Sequence, residues 1–118
     1  MSLPLLEGTL IHTLGQLALA KAPNEAVGLI VRGDQVVELT NGSDHPEDSF
    51  SVGVDDITLQ LDRLGLILTQ DEWHEVILWH SHPGGGIGPS RVDMRNRVPA
   101  WAHLVITLTP DEVIPTWY

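Results

Sequence analysis

One stretch, Glu75-Val76-Ile77-Leu78-Trp79-His80-Ser81-His82-Pro83, limits the possible folds more than any other part of the chain. Glu75 to His80 is apolar with β-branched residues at its centre, the composition of a buried strand. Proline lacks the N–H that a sheet ladder needs, so Pro83 stops the strand. Gly84, Gly85, Gly86 and Gly88 then let the backbone turn back sharply. A buried strand needs neighbours on both edges and cover on its faces, and the flanking segments have the patterns to supply them.

Thr9 to Ala22 carries Leu10, Leu14 and Leu17 at helical spacing, and Pro23 ends that helix. Ala26 to Arg32 and Gln35 to Thr40 read as a hairpin closed by a tight Gly33-Asp34 turn. Asn41 to Ser49 is polar loop, and a short strand is expected around Phe50 to Val52. Asp55 or Asp56 opens a second helix, with Ile57, Leu61, Leu64 and Leu68 on one face and acids at its positive end. Pro83 to Pro89 is a glycine-rich loop, Ser90 to Arg97 a short helix, and His103 to Leu108 and Val113 to Trp117 closing strands. The order predicts an α/β fold: a mixed β-sheet with flanking helices, in one domain over residues 1–118. A chain of 118 residues with 42% hydrophobic and 19% charged residues is long and apolar enough to build one core.

Charge narrows the partners. Sixteen acidic against six basic side chains give a net charge of -10, a field that repels phosphate and anionic lipid. The expectation is no nucleic-acid partner and no membrane partner. No apolar run is long enough to span a bilayer, and the first residues do not read as a secretory signal. The absence of cysteine excludes disulfides, thiol catalysis and cysteine-ligated metal sites. Oligomeric state is not legible.

At the end of a strand, residues two apart share a face, so His80 and His82 can converge on one metal ion while Ser81 points away. The glycine-rich return can bring in Asp93, from the first turn of the next helix, as a third ligand. Two neutral imidazoles and a carboxylate suit Zn²⁺, one per chain, with water in the open fourth position of a catalytic site. Such a site also needs a carboxylate to move protons. Glu25, at the junction of the first helix and a buried strand, is the best placed on local grounds.

Each motif also has a plainer explanation. A His-x-His on a strand can be one buried and one exposed histidine. Ser90-Arg91-Val92-Asp93 has the form of a helix capping box, in which Ser90 caps and Asp93 reaches back. The glycines can be a flexible turn; they lack the Lys-Ser/Thr pair of a phosphate-binding loop. Glu25 can cap the strand entrance in solvent. The combination of His80, His82, the glycines, Ser90 and Asp93 within fourteen residues favours the metal site, and at Ser90 and Asp93 capping and ligation can coexist.

His80-Ser81-His82-Pro83 with ten residues between His82 and Asp93, and Ser90 three before the acid, resembles the JAMM motif of MPN-type (JAB-domain) zinc metallopeptidases. Asn24-Glu25-Ala26-Val27-Gly28-Leu29 is similar to that family's upstream segment, where a glutamate precedes a short apolar run with glycine. The resemblance covers about Glu25 to Thr109 and implies the MPN/JAB, cytidine-deaminase-like fold. It implies that His80, His82 and Asp93 bind zinc, that Glu25 is the general acid/base, and that Ser90 hydrogen-bonds the tetrahedral intermediate. The implied reaction is hydrolysis of a peptide or isopeptide bond. The implied substrate is a peptide or the C-terminus of a ubiquitin-like or sulfur-carrier protein. The compact chain, without the insertions that grip ubiquitin, is closer to the bacterial and phage branch, so the expected setting is cytoplasmic or phage-associated. The family also contains non-catalytic assembly modules, and a phage tail component is the alternative the resemblance carries.

The remaining chemistry-bearing residues are less telling. His12, His45, His74 and His103 are scattered, as surface or packing histidines are. Trp79 adjoins the first ligand and can face core or substrate. Arg91, Arg95 and Arg97 are half of the basic residues and form either a solvated helix face or an attractor for a substrate carboxylate.

Overall fold

A computed structural model describes residues 7–118. Five strands form one mixed sheet in the order β2-β1-β3-β4-β5: β1 (Val27–Val31), β2 (Gln35–Leu39), β3 (Ile77–His82), β4 (Ala102–Leu108) and β5 (Val113–Trp117). Helices α1 (Gly8–Lys21), α2 (Val54–Arg63), α3 (Gln70–His74) and α4 (Arg91–Arg95) fill the connections. The strand that the His-x-His motif ends is the centre of the sheet. It pairs antiparallel with β1 and parallel with β4. The parallel pair needs a crossover, and the glycine-rich loop with α4 provides it.

The pleat sorts side chains into two cores. On one face Ile77 and Trp79 of β3 pack with Leu104 and Ile106 of β4 under Leu10, Leu14 and Ala18 of α1. On the other, Val76 and Leu78 pack with Val27, Leu29 and Val31 of β1 under Leu61 of α2. Interior strand β1, between β2 and β3, is therefore buried at all five positions, while β5 at the sheet edge is only half buried. Alternation makes a further assignment: His80 shares the face of Leu78, and His103, Val105 and Thr107 of β4 lie beside it. Trp79 is fully buried under α1, which makes it core and takes it out of the site. Its indole crosses Gly28, where an added Cβ would meet Nε1 at 2.7 Å and the carbonyl of Val37.

Four sequence expectations need correction. The hairpin turn is the three-residue Arg32-Gly33-Asp34, with Val31 paired to Gln35 and left-handed backbone at Arg32 and Gly33. No strand forms at Phe50 to Val52; those residues run as irregular backbone, and the Phe50 ring instead faces His80. Helix α2 stops at Arg63 because Gly65 takes φ +68°, so that Gly65 N–H bonds Asp62 O and Leu66 N–H bonds Leu61 O. Leu68 therefore lies beyond the helix. The chain then starts the unexpected α3 at a capping box, in which Thr69 accepts from Glu72 N–H and Glu72 accepts from Thr69 N–H.

Candidate metal centre

His80 and His82 project from the last residues of β3 with their Nε2 atoms 3.2 Å apart. Asp93 Oδ2 lies 3.0 Å from each of them. Donor atoms about 2.0–2.1 Å from a tetrahedral zinc ion sit about 3.3 Å from one another. The observed triangle is the face of such a tetrahedron to within a few tenths of an ångström.

Local structure explains each placement. Asp93 is the third residue of α4, and the capping box is real: Asp93 N–H donates to Ser90 Oγ at 3.0 Å, and Ser90 N–H donates to Asp93 Oδ2 at 2.9 Å. That same Oδ2 faces both imidazoles, so one carboxylate caps the helix and completes the triangle. His82 Nδ1 lies 3.0 Å from the Gly86 carbonyl, which also accepts from Thr107 Oγ1 at 2.8 Å. The carbonyl holds the proton on Nδ1 and leaves the Nε2 lone pair for a metal. His80 is fully buried, stacked on Phe50 with ring centroids 4.5 Å apart, and its Nδ1 faces the Tyr118 hydroxyl.

Glu25 is 5% exposed, although the sequence allowed it a place in solvent. Its N–H donates to Pro46 O at 2.6 Å, and its carbonyl accepts from Asn41 Nδ2 at 3.0 Å. Ser81, between the two histidines, accepts from Ala26 N–H through Oγ at 2.7 Å and donates its own N–H to Ala26 O. The residue that separates the histidines thus ties the Glu25 segment to β3. A Glu25 carboxylate oxygen lies within 4.8 Å of ring nitrogens of both His80 and His82. Among the described residues the buried Glu25 Oε1 has no hydrogen-bond partner, a costly state that a bound ion or water would relieve.

The two carboxylates titrate in opposite directions. Burial pushes the Glu25 carboxyl up from its ordinary 4.5 to about 7; the neighbouring Asp93 charge adds to this and His82 opposes it. Burial would also raise Asp93, but hydrogen bonds from His80 and His82 outweigh it and hold this carboxyl below the usual carboxylate range. Burial lowers His80, keeping the imidazole neutral, whereas the hydrogen bond to Asp93 raises His82.

The structure therefore brings Glu25, His80, His82 and Asp93 together and leaves Ser90 exposed at the rim. Arg91, Arg95 and Arg97 are exposed, and no ion pair among the described residues includes them. Of the scattered histidines, His12, His45 and His74 are exposed. His103 is buried, with its ring 5.2 Å from that of Tyr118. Sequence reasoning missed Phe50, Gly86, Thr107 and Tyr118. Thr107 was the most accessible of these, since it alternates with His103 along β4. Its position opposite His82 follows only from the parallel register.

The same chain matches, over residues 9–117, the family profile of prokaryotic homologs of the JAB domain. The chain belongs to this family. The JAB-domain fold is also supported by the solution structure of protein DSY2949 from Desulfitobacterium hafniense. That protein is similar with a TM-score of 0.64 and 25% sequence identity, over 93% of this chain and 79% of that one. No curated protein matches the chain. Glu25, His80, His82, Ser90 and Asp93 all fall within the range matched to the JAB family. Among the described residues no helix is long and apolar enough to cross a membrane.

Proposed function

We propose that this JAB-domain protein is a zinc-dependent metallopeptidase that hydrolyses a peptide or isopeptide bond. The observation that carries the reading is the triangle of His80 Nε2, His82 Nε2 and Asp93 Oδ2 with a buried, partnerless carboxylate oxygen of Glu25 beside it. His80, His82 and Asp93 would hold the ion. When bound, zinc supplies Lewis acidity to the scissile carbonyl and makes water a stronger acid.

The chain's own residues do the rest. Glu25 takes the proton of the attacking water and passes it to the leaving amine. A carboxyl pushed up to about 7 suits that double duty, because it accepts and releases a proton near neutral pH. Ser90 accepts the Asp93 N–H with an oxygen lone pair, so its O–H stays free to donate to the developing oxyanion. A cleft of about 360 Å³, lined by Phe50, Val52, Val92, Asp93, Asn96 and Val98, opens beside Asp93 and offers room for an extended substrate segment. The substrate class we favour is a chain ending in Gly-Gly, as in a ubiquitin-like or sulfur-carrier protein.

The test is turnover of fluorogenic peptides with a Gly-Gly acyl segment by zinc-loaded wild type and Glu25→Gln. General acid/base groups contribute about 10²–10⁴-fold. The variant is expected to lose that much activity while keeping its zinc. Undiminished turnover in the variant would remove Glu25 from the mechanism. Zinc binding with no turnover by wild type would move the protein to the non-catalytic assembly modules.

A further inference from the structure

The two histidines of the metal centre are braced in different ways. His82 Nδ1 meets a backbone carbonyl, which can only accept, so Nδ1 carries a proton whether or not a metal is present. His80 Nδ1 meets the hydroxyl of Tyr118 at 3.4 Å, and among the described residues this is its one hydrogen-bond partner. A hydroxyl can donate or accept. Tyr118 itself is well held: its N–H donates to His103 O at 2.9 Å, and its ring stands edge-on to His80 with centroids 6.0 Å apart.

Without metal, His80 Nε2 lies 3.0 Å from Asp93 Oδ2, a contact that needs the proton on Nε2. Nδ1 is then a bare acceptor, and the Tyr118 O–H must donate to it. A metal on Nε2 demands the reverse arrangement, with the proton on Nδ1 and the phenol oxygen accepting. A buried imidazole left with an unpartnered nitrogen in either state would lose a hydrogen bond's worth of stability. We propose that Tyr118 is a positioning residue for the metal centre, whose rotating hydroxyl satisfies His80 Nδ1 in both states and lets the imidazole change tautomer when metal binds. This rests on the reading that His80 takes the metal through Nε2. It goes beyond that reading by giving the Nδ1 side a partner that works in two directions.

The experiment has two arms. In the first, ¹⁵N-labelled wild type is compared by NMR, metal-free and zinc-loaded. The His80 proton is expected on Nε2 without metal and on Nδ1 with it, while His82 keeps its proton on Nδ1 throughout. An unchanged His80 tautomer would overturn the proposal. In the second, zinc affinity is measured against a chromophoric chelator for wild type and Tyr118→Phe, which keeps the ring packing and removes only the hydroxyl. Loss of an outer partner of a metal-binding histidine typically weakens affinity about 10–100-fold, and that loss is expected here. Equal affinity in a variant with unchanged near-ultraviolet circular dichroism would overturn the role of Tyr118 alone. A wild type that binds no zinc would overturn the metal reading and this inference with it.

Discussion

Glu25 and Asp93 show how one site sets two carboxylates to different tasks. Asp93 is drawn down by two imidazole partners and stays ionised, as the proposed ligand role requires; Glu25 is pushed up by burial and can carry a proton. The shift of Glu25 has a consequence for stability. In metal-free protein the folded state holds a proton between about pH 4.5 and 7 that the unfolded chain has released. Folding is therefore undisturbed by this group below pH 4.5 and progressively weakened as the pH rises to 7. Glu25→Gln cannot ionise. At pH 8 the metal-free variant should be more stable than metal-free wild type, by about 2 kcal/mol once the coupling to His82 and Asp93 is discounted. At pH 4 the two should melt together. Thermal melts at both values check this, and an equal melting temperature at pH 8 would contradict it. At this scale the sequence was legible where candidate side chains fall in a short pattern, His80, His82, Ser90 and Asp93; Glu25, 55 residues before His80, was singled out by its junction with a buried strand and not by spacing. Tyr118 and Thr107 were not legible, because a phenol and a hydroxyl at strand positions acquire meaning only from the β3–β4–β5 register.

Among the elements, the main helices and the strands flanked by turn residues were readable, and the failures have local causes. The leucine spacing from Ile57 to Leu68 continues the helical period past Arg63, but Gly65 takes a left-handed conformation and ends the helix first. Thr69-Gln70-Asp71-Glu72 held the capping signature of α3 and was hidden beneath that longer period. Phe50 has a strand former's side chain, yet its ring packs on the His80 imidazole and its backbone joins no strand of the sheet. Gly28 had a reason invisible in sequence: the β1–β3 register sets it against Trp79. Gly28→Ala would push a methyl into the fully buried Trp79 indole and the backbone carbonyl of Val37. Overpacking of this kind costs about 1–3 kcal/mol, and the backbone contact places Gly28→Ala near the upper end. Urea denaturation should show that loss as a lower midpoint, and a midpoint within error of wild type would show that β1 can shift away.

Over the whole molecule, the site joins the entry to β1 with a distant stretch of the chain that runs from the end of β3 to the start of α4. The two cores hold β1 and β3 together, but α4 contributes only Asp93 as a buried residue. Ligation should therefore stabilise the crossover strongly. A ligand at 100 times its Kd adds about 2.7 kcal/mol, which corresponds to a rise in Tm of roughly 10 °C in a domain of this size. Adding a chelator in excess should remove that rise, and indifference of Tm to zinc and chelator alike would argue against a metal in the folded protein.

The most direct measurement is zinc per chain, by elemental analysis of protein purified without added metal, in wild type and His82→Ala. The proposed centre predicts one zinc per wild-type chain and none in the variant, with both proteins folded. Wild type that stays empty even after zinc is added back, or a variant that keeps full zinc, would contradict the His80–His82–Asp93 centre.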